Sequence, residues 1–162
     1  MEDLRLGFLA SHNGSNMQAI VDACNNGALN ATPSAVISNN STSGALKRAR
    51  RENIPYYHMS LKTHSTPELL DKGILKILLK HSVNLIILAG YMKLLGHRTV
   101  SQYRNRILNI HPALLPKFGG KGYYGRHVHK AVLTAGEPTT GVTIHLADNQ
   151  FDHGPTVAQC EV

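Results

Sequence analysis

The strongest apolar run in this chain, Val83 to Ala89, is the feature that most limits how it can fold. It is far too short to cross a membrane. It is apolar on both faces, and a strand buried on both faces belongs inside a parallel sheet covered by helices. The segments around it repeat that theme. Leu4 to Ala10 reads as a first buried strand, and Met17, Ile20, Val21 and Cys24 recur at helical spacing before a stop at Gly27. Ala35 to Ser38 reads as a second strand, Gly44 to Arg51 as a basic helix, and Tyr56 and Tyr57 as a short third strand. Pro67 suits the first turn of a helix whose apolar stripe is Leu69, Leu70, Ile74, Ile77 and Leu78. Beyond the central run, the pattern predicts a short helix over Gly96–Tyr103 and a fifth strand over Arg106–Ile110. A Gly-rich loop over Phe118–Gly125 then leads to a helix near Val128–Ala135, and strands follow at Gly141–Leu146 and Thr156–Val162. Strands alternating with helices predict the α/β class: a doubly wound, mostly parallel sheet with helices on both faces. The 162 residues suit a single domain over 1–162.

In such sheets, ligands bind beyond the carboxyl ends of the strands, where the strand order reverses. Three loops at such positions hold most of the reactive side chains. Gly14-Ser15-Asn16 lies between the first strand and the first helix, where free backbone N–H groups attract an anion. It has neither the lysine of a P-loop nor a G-x-G-x-x-G pattern, and an ordinary N-cap turn explains it equally well. Asn109-x-His111 ends the fifth strand, and alternate strand residues share a face. A carboxamide donates to a carbonyl oxygen and an imidazole moves a proton near neutral pH, a pairing suited to acyl-type transfer. The segment from Asp148 to Pro155 holds two carboxylates in a turn, and a carboxylate beside a histidine favours the imidazolium.

Charge and composition narrow the partners. A formal net charge of +7 attracts polyanions, among them nucleic acid, a phosphorylated metabolite or a polycarboxylate cofactor. With 6% aromatic residues and no tryptophan, the stacking platforms of a single-strand-binding protein are missing. Nucleic acid and membrane are therefore not expected partners. Ten histidines invite a metal, but no H-E-x-x-H or Cys/His ligand spacing occurs, and none is expected. Cys24 and Cys160 make no disulfide framework. The segment Met1 to Arg5 does not read as a secretory signal, so the expected compartment is cytoplasmic.

Taken together, Ser11–Asn16 with Met17-Gln18-Ala19-Ile20, Leu88–Met92, Leu108–Pro116 and Gly141–Pro155 resemble the phosphoribosylglycinamide formyltransferase family, folate-dependent enzymes of purine synthesis. The resemblance implies a Rossmann-like formyltransferase fold. It implies that the formyl group of 10-formyltetrahydrofolate, the cosubstrate, passes to the amine of glycinamide ribonucleotide by direct attack. Gly14, Ser15 and Asn16 would hold the substrate phosphate. Met92, Lys93, Leu94 and Leu95 would line the folate pocket together with Asn109, with Lys93 standing where the family often has arginine. Asn109 and His111 match the catalytic pair and would stabilise the oxyanion. A homodimer is a candidate assembly.

Three departures qualify those expectations. Aligning the family's loop on Asp152 and Gly154 puts Asn149 where the family has aspartate, with Asp148 one residue earlier. Asp148 is therefore the carboxylate expected beside His111, reached through a shifted backbone; otherwise the histidine is less well tuned. Ser65-Thr66-Pro67 offers no arginine toward folate, although Lys62 is near. The sequence stops at Val162, so the expected domain lacks the family's C-terminal helix. Alternative functions are a catalytically impaired folate- or nucleotide-binding protein, a formyltransferase with another amine acceptor, or a hydrolase of the cofactor.

Overall fold

The structure is a computed structural model and describes residues 3–162; Met1 and Glu2, which open the segment judged above not to be a signal, lie outside the described residues. The chain runs β1 (Arg5–Leu9), α1 (Ser15–Asn25), β2 (Thr32–Ser38), α2 (Gly44–Arg51), β3 (Tyr56–His58), α3 (Pro67–Lys80), β4 (Leu85–Leu88), α4 (His97–Gln102), β5 (Ile107–His111), α5 (Arg126–Thr134), β6 (Gly141–Leu146) and β7 (Thr156–Glu161). The strands form one seven-stranded sheet in the order β3-β2-β1-β4-β5-β6-β7. Pairings from β3 across to β5 are parallel, whereas β5–β6 and β6–β7 are antiparallel. This is the mostly parallel α/β sheet that the sequence predicts.

Period-two alternation decides which face each strand residue covers. Leu6 and Phe8 of β1 and Ile87 of β4 pack with Met17 and Val21 of α1 and with Ala45 and Ala49 of α2. Leu9, Ile86 and Leu88 point the other way and pack with Ile74 and Leu78 of α3 and with Tyr103. Two separate cores therefore clamp the sheet, which is why β4 had to be apolar on both faces. β4 is shorter than the apolar run. Val83 closes the end of α3 by donating to the Leu78 carbonyl, and the Asn84 side chain accepts from the Arg5 N–H. β5 has the predicted length but lies one residue further along, reaching His111, because antiparallel pairing with β6 sets His111 opposite Thr143. β7, at the sheet edge, is exposed along its whole length.

The strand order reverses between β1 and β4, and one buried hydroxyl ties the loops there. Ser11 Oγ donates to Asn39 Oδ1 at 2.6 Å and accepts from Met92 N–H at 2.8 Å, while Ser11 N–H donates to the Gly90 carbonyl at 3.0 Å. The loops after β1, β2 and β4 are thus held as one unit. A second tether fixes the far end of the β4 loop. The buried carboxylate of Asp71, on α3, accepts from Arg98 N–H at 2.8 Å, from Thr99 N–H at 3.1 Å and from Thr99 Oγ at 2.6 Å. It therefore caps the N-terminus of α4, which its own N-cap, Gly96, cannot do with a side chain.

Asp71→Ala strands those donors and should destabilise the fold by about 2–4 kcal/mol. For a chain of this size the melting temperature should fall by roughly 5–15 °C. A thermal melt within about 2 °C of the wild type would show that water replaces the cap at little cost.

Candidate active site

β5 delivers Asn109 and His111 to the carboxyl edge of the sheet. Leu108 and Ile110 pack into the α1/α2 core, so Asn109 and His111 face the opposite side with Ile107. Across the ladder, β6 sets His145 opposite Asn109 and Thr143 opposite His111. The two expected residues are therefore brought together, with a second strand pair, Thr143 and His145, facing them.

The group on which they converge is Asp152. Its Oδ1 accepts from Asn109 Nδ2 at 3.1 Å and lies 3.4 Å from both His111 Nδ1 and His145 Nε2. Its Oδ2 accepts from the Gly120 N–H at 3.0 Å. The side chain is 8% exposed, so this is a buried carboxylate with polar partners around both oxygens. Burial alone would raise its pKa. The hydrogen bonds from His111, His145 and Gly120 outweigh burial and hold it well below the usual carboxylate range. For His145, burial alone would lower the pKa, but Asp152 and the Leu146 carbonyl more than offset it and the net shift is upward. His111 Nε2 lies 2.7 Å from the Phe118 carbonyl oxygen. Both ring nitrogens of His111 thus face acceptors, an arrangement that only an imidazolium can satisfy with two donated bonds.

Asp148, the carboxylate expected beside His111, is not there. Its Oδ2 is 2.9 Å from His153 Nδ1 and its Oδ1 accepts from Gln150 N–H at 2.7 Å. It is a half-exposed, turn-forming residue, and Asn149 is exposed. The correction has a geometric cause. The chain turns back so tightly after β6 that Leu146 N–H donates to the Pro155 carbonyl at 2.9 Å. Gly154 passes against the Leu146 carbonyl, where any Cβ would collide. That pinch, with Asp152 in the left-handed region at φ 52°, aims Asp152 at the two histidines and leaves Asp148 on the rim of the cleft, paired with His153. His145 was also missed, although Thr143-x-His145 in an alternating strand carries the same two-residue signature as Asn109-x-His111.

The other expected residues lie around this centre. A cleft beside Asn109, His145 and Asp152 is walled by Lys93, Leu94 and Leu95, together with Tyr91 and Phe151. Met92 is not part of that wall; its backbone is tied to Ser11 instead. Gly14 is the N-cap of α1 at φ 73° and makes no side-chain cap, so the N-cap turn has no capping Ser or Asn. A Cβ on Gly14 would stand 2.8 Å from Ala45 Cβ, so glycine is required by both conformation and space. Ser15 and Asn16 are exposed at the start of the helix. This loop makes no hydrogen bond to Asn109 or His111; Ser11, just before it, is tied to the β4 loop at Gly90 and Met92. Among the described residues, no three His, Cys, Asp or Glu side chains are arranged to hold a metal ion, and no helix is long and apolar enough to cross a membrane.

The pKa shifts set a pH window for stability. The depressed Asp152 contributes fully above the ordinary carboxylate value near 4 and is lost as pH falls through its lower folded value. The raised His145 contributes fully below about 6.5 and is lost as pH rises through its higher folded value. Asp152 takes part in both shifts, so the melting temperature should be highest between roughly pH 4 and 6.5 and decline on either side. Asp152→Asn should flatten that profile; an unchanged profile would assign the dependence to other groups.

Comparison with known proteins agrees with this architecture. The family model described as formyl transferase matches residues 4–162. The phosphoribosylglycinamide formyltransferase of Escherichia coli (strain K12) is 36% identical over 98% of this chain and 73% of its own. The relative from Arabidopsis thaliana, named phosphoribosylglycinamide formyltransferase, chloroplastic, is 38% identical over 98% of this chain. The chain spans about half the length of that plant relative, 54%. The crystal structure of glycinamide ribonucleotide transformylase 1 from Geobacillus kaustophilus superposes with a TM-score of 0.91 at 38% identity, covering 99% of this chain and 83% of the other. The chain belongs to the formyl transferase family.

Proposed function

We propose that this chain transfers the formyl group of 10-formyltetrahydrofolate to the primary amine of glycinamide ribonucleotide. The observation that carries this reading is the convergence of Asn109 and His111 on the buried Asp152 carboxylate, beside a cleft open at the carboxyl edge of the sheet. The names of the relatives supply the acceptor. In this reading the amine nitrogen attacks the formyl carbon and the carbonyl electron pair moves to oxygen. Asn109 and His111 stabilise that oxyanion by donating hydrogen bonds. The intermediate then collapses, the carbon–N10 bond breaks, and a proton passes from the former amine to the departing N10 of tetrahydrofolate. No covalent bond to the protein is needed.

The remaining residues take supporting roles. Asp152 holds the His111 ring through Nδ1 and balances its positive charge; Asp148 has no part in that pairing. Phe118 presents a carbonyl where the formyl oxygen would be received, so substrate would replace it on His111 Nε2. Gly14, Ser15 and Asn16 offer the N-terminus of α1 to the substrate phosphate. Lys93, Leu94 and Leu95 form the apolar and cationic wall for the folate, and Met92, next in sequence, anchors that segment through its backbone bond to Ser11. A net charge of +7 favours both anionic reactants.

Mixing the protein with 10-formyltetrahydrofolate should release tetrahydrofolate only when glycinamide ribonucleotide is present. Release without the amine would point to hydrolysis, and binding without release to a binding protein. Asp152→Asn should lower kcat by about 10²–10⁴-fold. Asp148→Asn removes a half-exposed pair with His153 and one of two carboxylates near His145, and should lower the rate far less, by under about tenfold or roughly 1 kcal/mol. A larger loss at Asp148 than at Asp152 would reverse the assignment.

A further inference from the structure

His145 is the most buried titratable side chain at this site, 1% exposed, and the chemistry above does not use it. Its Nδ1 lies 3.0 Å from the Leu146 carbonyl oxygen, which only accepts, so Nδ1 carries a proton. Its Nε2 lies 2.9 Å from Asn109 Nδ2. An amide nitrogen only donates, so in this arrangement Nε2 is the unprotonated end of a neutral ring. Asn109 Nδ2 has two hydrogens, and both are engaged: one on His145 Nε2, the other on Asp152 Oδ1. A planar carboxamide places its oxygen at the opposite end. Among the described residues Asn109 Oδ1 accepts no hydrogen bond, it is not a buried atom lacking a partner, and Asn109 lines the cleft. The amide therefore meets the cleft with its acceptor end, the reverse of what an oxyanion requires.

We propose that His145 is a positioning residue whose protonation decides which end of the Asn109 carboxamide faces the cleft. With the ring neutral, Nε2 accepts from Asn109 and Oδ1 faces outward. When Nε2 gains a proton it has no lone pair left for Asn109. It then donates to Asp152 Oδ1, in place of the Asn109 N–H that held that oxygen, and to Asn109 Oδ1; the shared proton bridges the two oxygens, and a half-turn about the last side-chain bond brings Nδ2 to the cleft. The outward N–H group is then free for a developing negative charge. The ionisable groups facing the ring are few. Asp152 and Asp148 come from the β6–β7 turn, His111 from β5 stands on the far side of Asp152, and Tyr91 and Lys93 come from the β4 loop across the cleft. The two carboxylates favour the protonated ring, and the raised pKa of His145 agrees with that balance. Burial holds Tyr91 neutral, its pKa pushed up to about 12, so it adds no charge there.

This inference rests on the proposed formyl transfer for its consequence, but its geometry is independent of the acceptor. In the first test, a heteronuclear NMR titration of the wild-type protein without substrate follows the His145 ring and the Asn109 carboxamide N–H pair. The expected result is that both move with a single midpoint, above the ordinary histidine value. Asn109 signals that stay fixed while His145 titrates would overturn the proposal, whatever the enzyme's substrate. The second test is kinetic. His145→Gln should lower kcat by about tenfold or more while changing KM for the folate little, the scale of one lost oxyanion donor or less. It should also abolish the loss of kcat on the alkaline side that tracks the NMR midpoint. A His145→Gln enzyme that keeps the wild-type kcat–pH profile would likewise refute the switch. A wild type with no transferase activity but concerted NMR shifts would refute the formyl-transfer reading alone.

Discussion

The buried carboxylate of Asp152 is the interaction on which the site depends. It is contacted from β5 by Asn109 and His111, from β6 by His145, and from the loop before α5 by Gly120. A buried charge pair adds little net stability, because desolvation offsets much of the attraction. Its stronger effect is positional. Leaving Asp152 without its partners would expose a carboxylate to an apolar surrounding, so each partner is held where it can donate. The centre is thus built from residues distant in sequence and adjacent only through an antiparallel ladder and a pinched turn.

Support for that arrangement comes from polar tethers at the sheet edge. Thr143 Oγ, fully buried, donates to the Ala113 carbonyl at 2.7 Å and accepts from Leu115 N–H at 3.0 Å. Gln159 Nε2 donates to the Leu115 carbonyl at 2.8 Å and to Thr143 Oγ at 2.9 Å. The loop after His111 is therefore pinned to β6 and β7, which limits how far His111 can stray. On the other side of the cleft, Ser11 and Asp71 fix the two ends of the β4 loop. The reacting centre sits between two rigid walls, one parallel and one antiparallel.

Much of the fold was legible because periodicity reports burial directly. The bounds of α2 and the order of strands and helices follow from apolar spacing, and the Pro67 start of α3 from a helix-start preference. Asn109 and His111 were legible for the same reason: two residues apart on a strand means one shared face. Asp148 was misplaced because the turn from Ala147 to Pro155 has no period. Sequence spacing there names two carboxylates but not which one points inward. His145 carried a readable two-residue pattern with Thr143, yet its meaning depends on facing β5, and strand pairing across an intervening helix is not a local property.

What the sequence by itself determined is the class of fold, the helix and strand segments, the strand-end pair, and the glycine turn before α1. Those depend on local spacing and on which residues avoid water. Tertiary structure alone decided that Asp152 rather than Asp148 meets His111, that His145 and Asp152 share the amide of Asn109, and that Phe118 covers His111. The physical reason is that hydrogen bonds act over about 3 Å. Which donors and acceptors come within that distance is set by register and turn geometry, and both emerge only when the two faces of the sheet have packed.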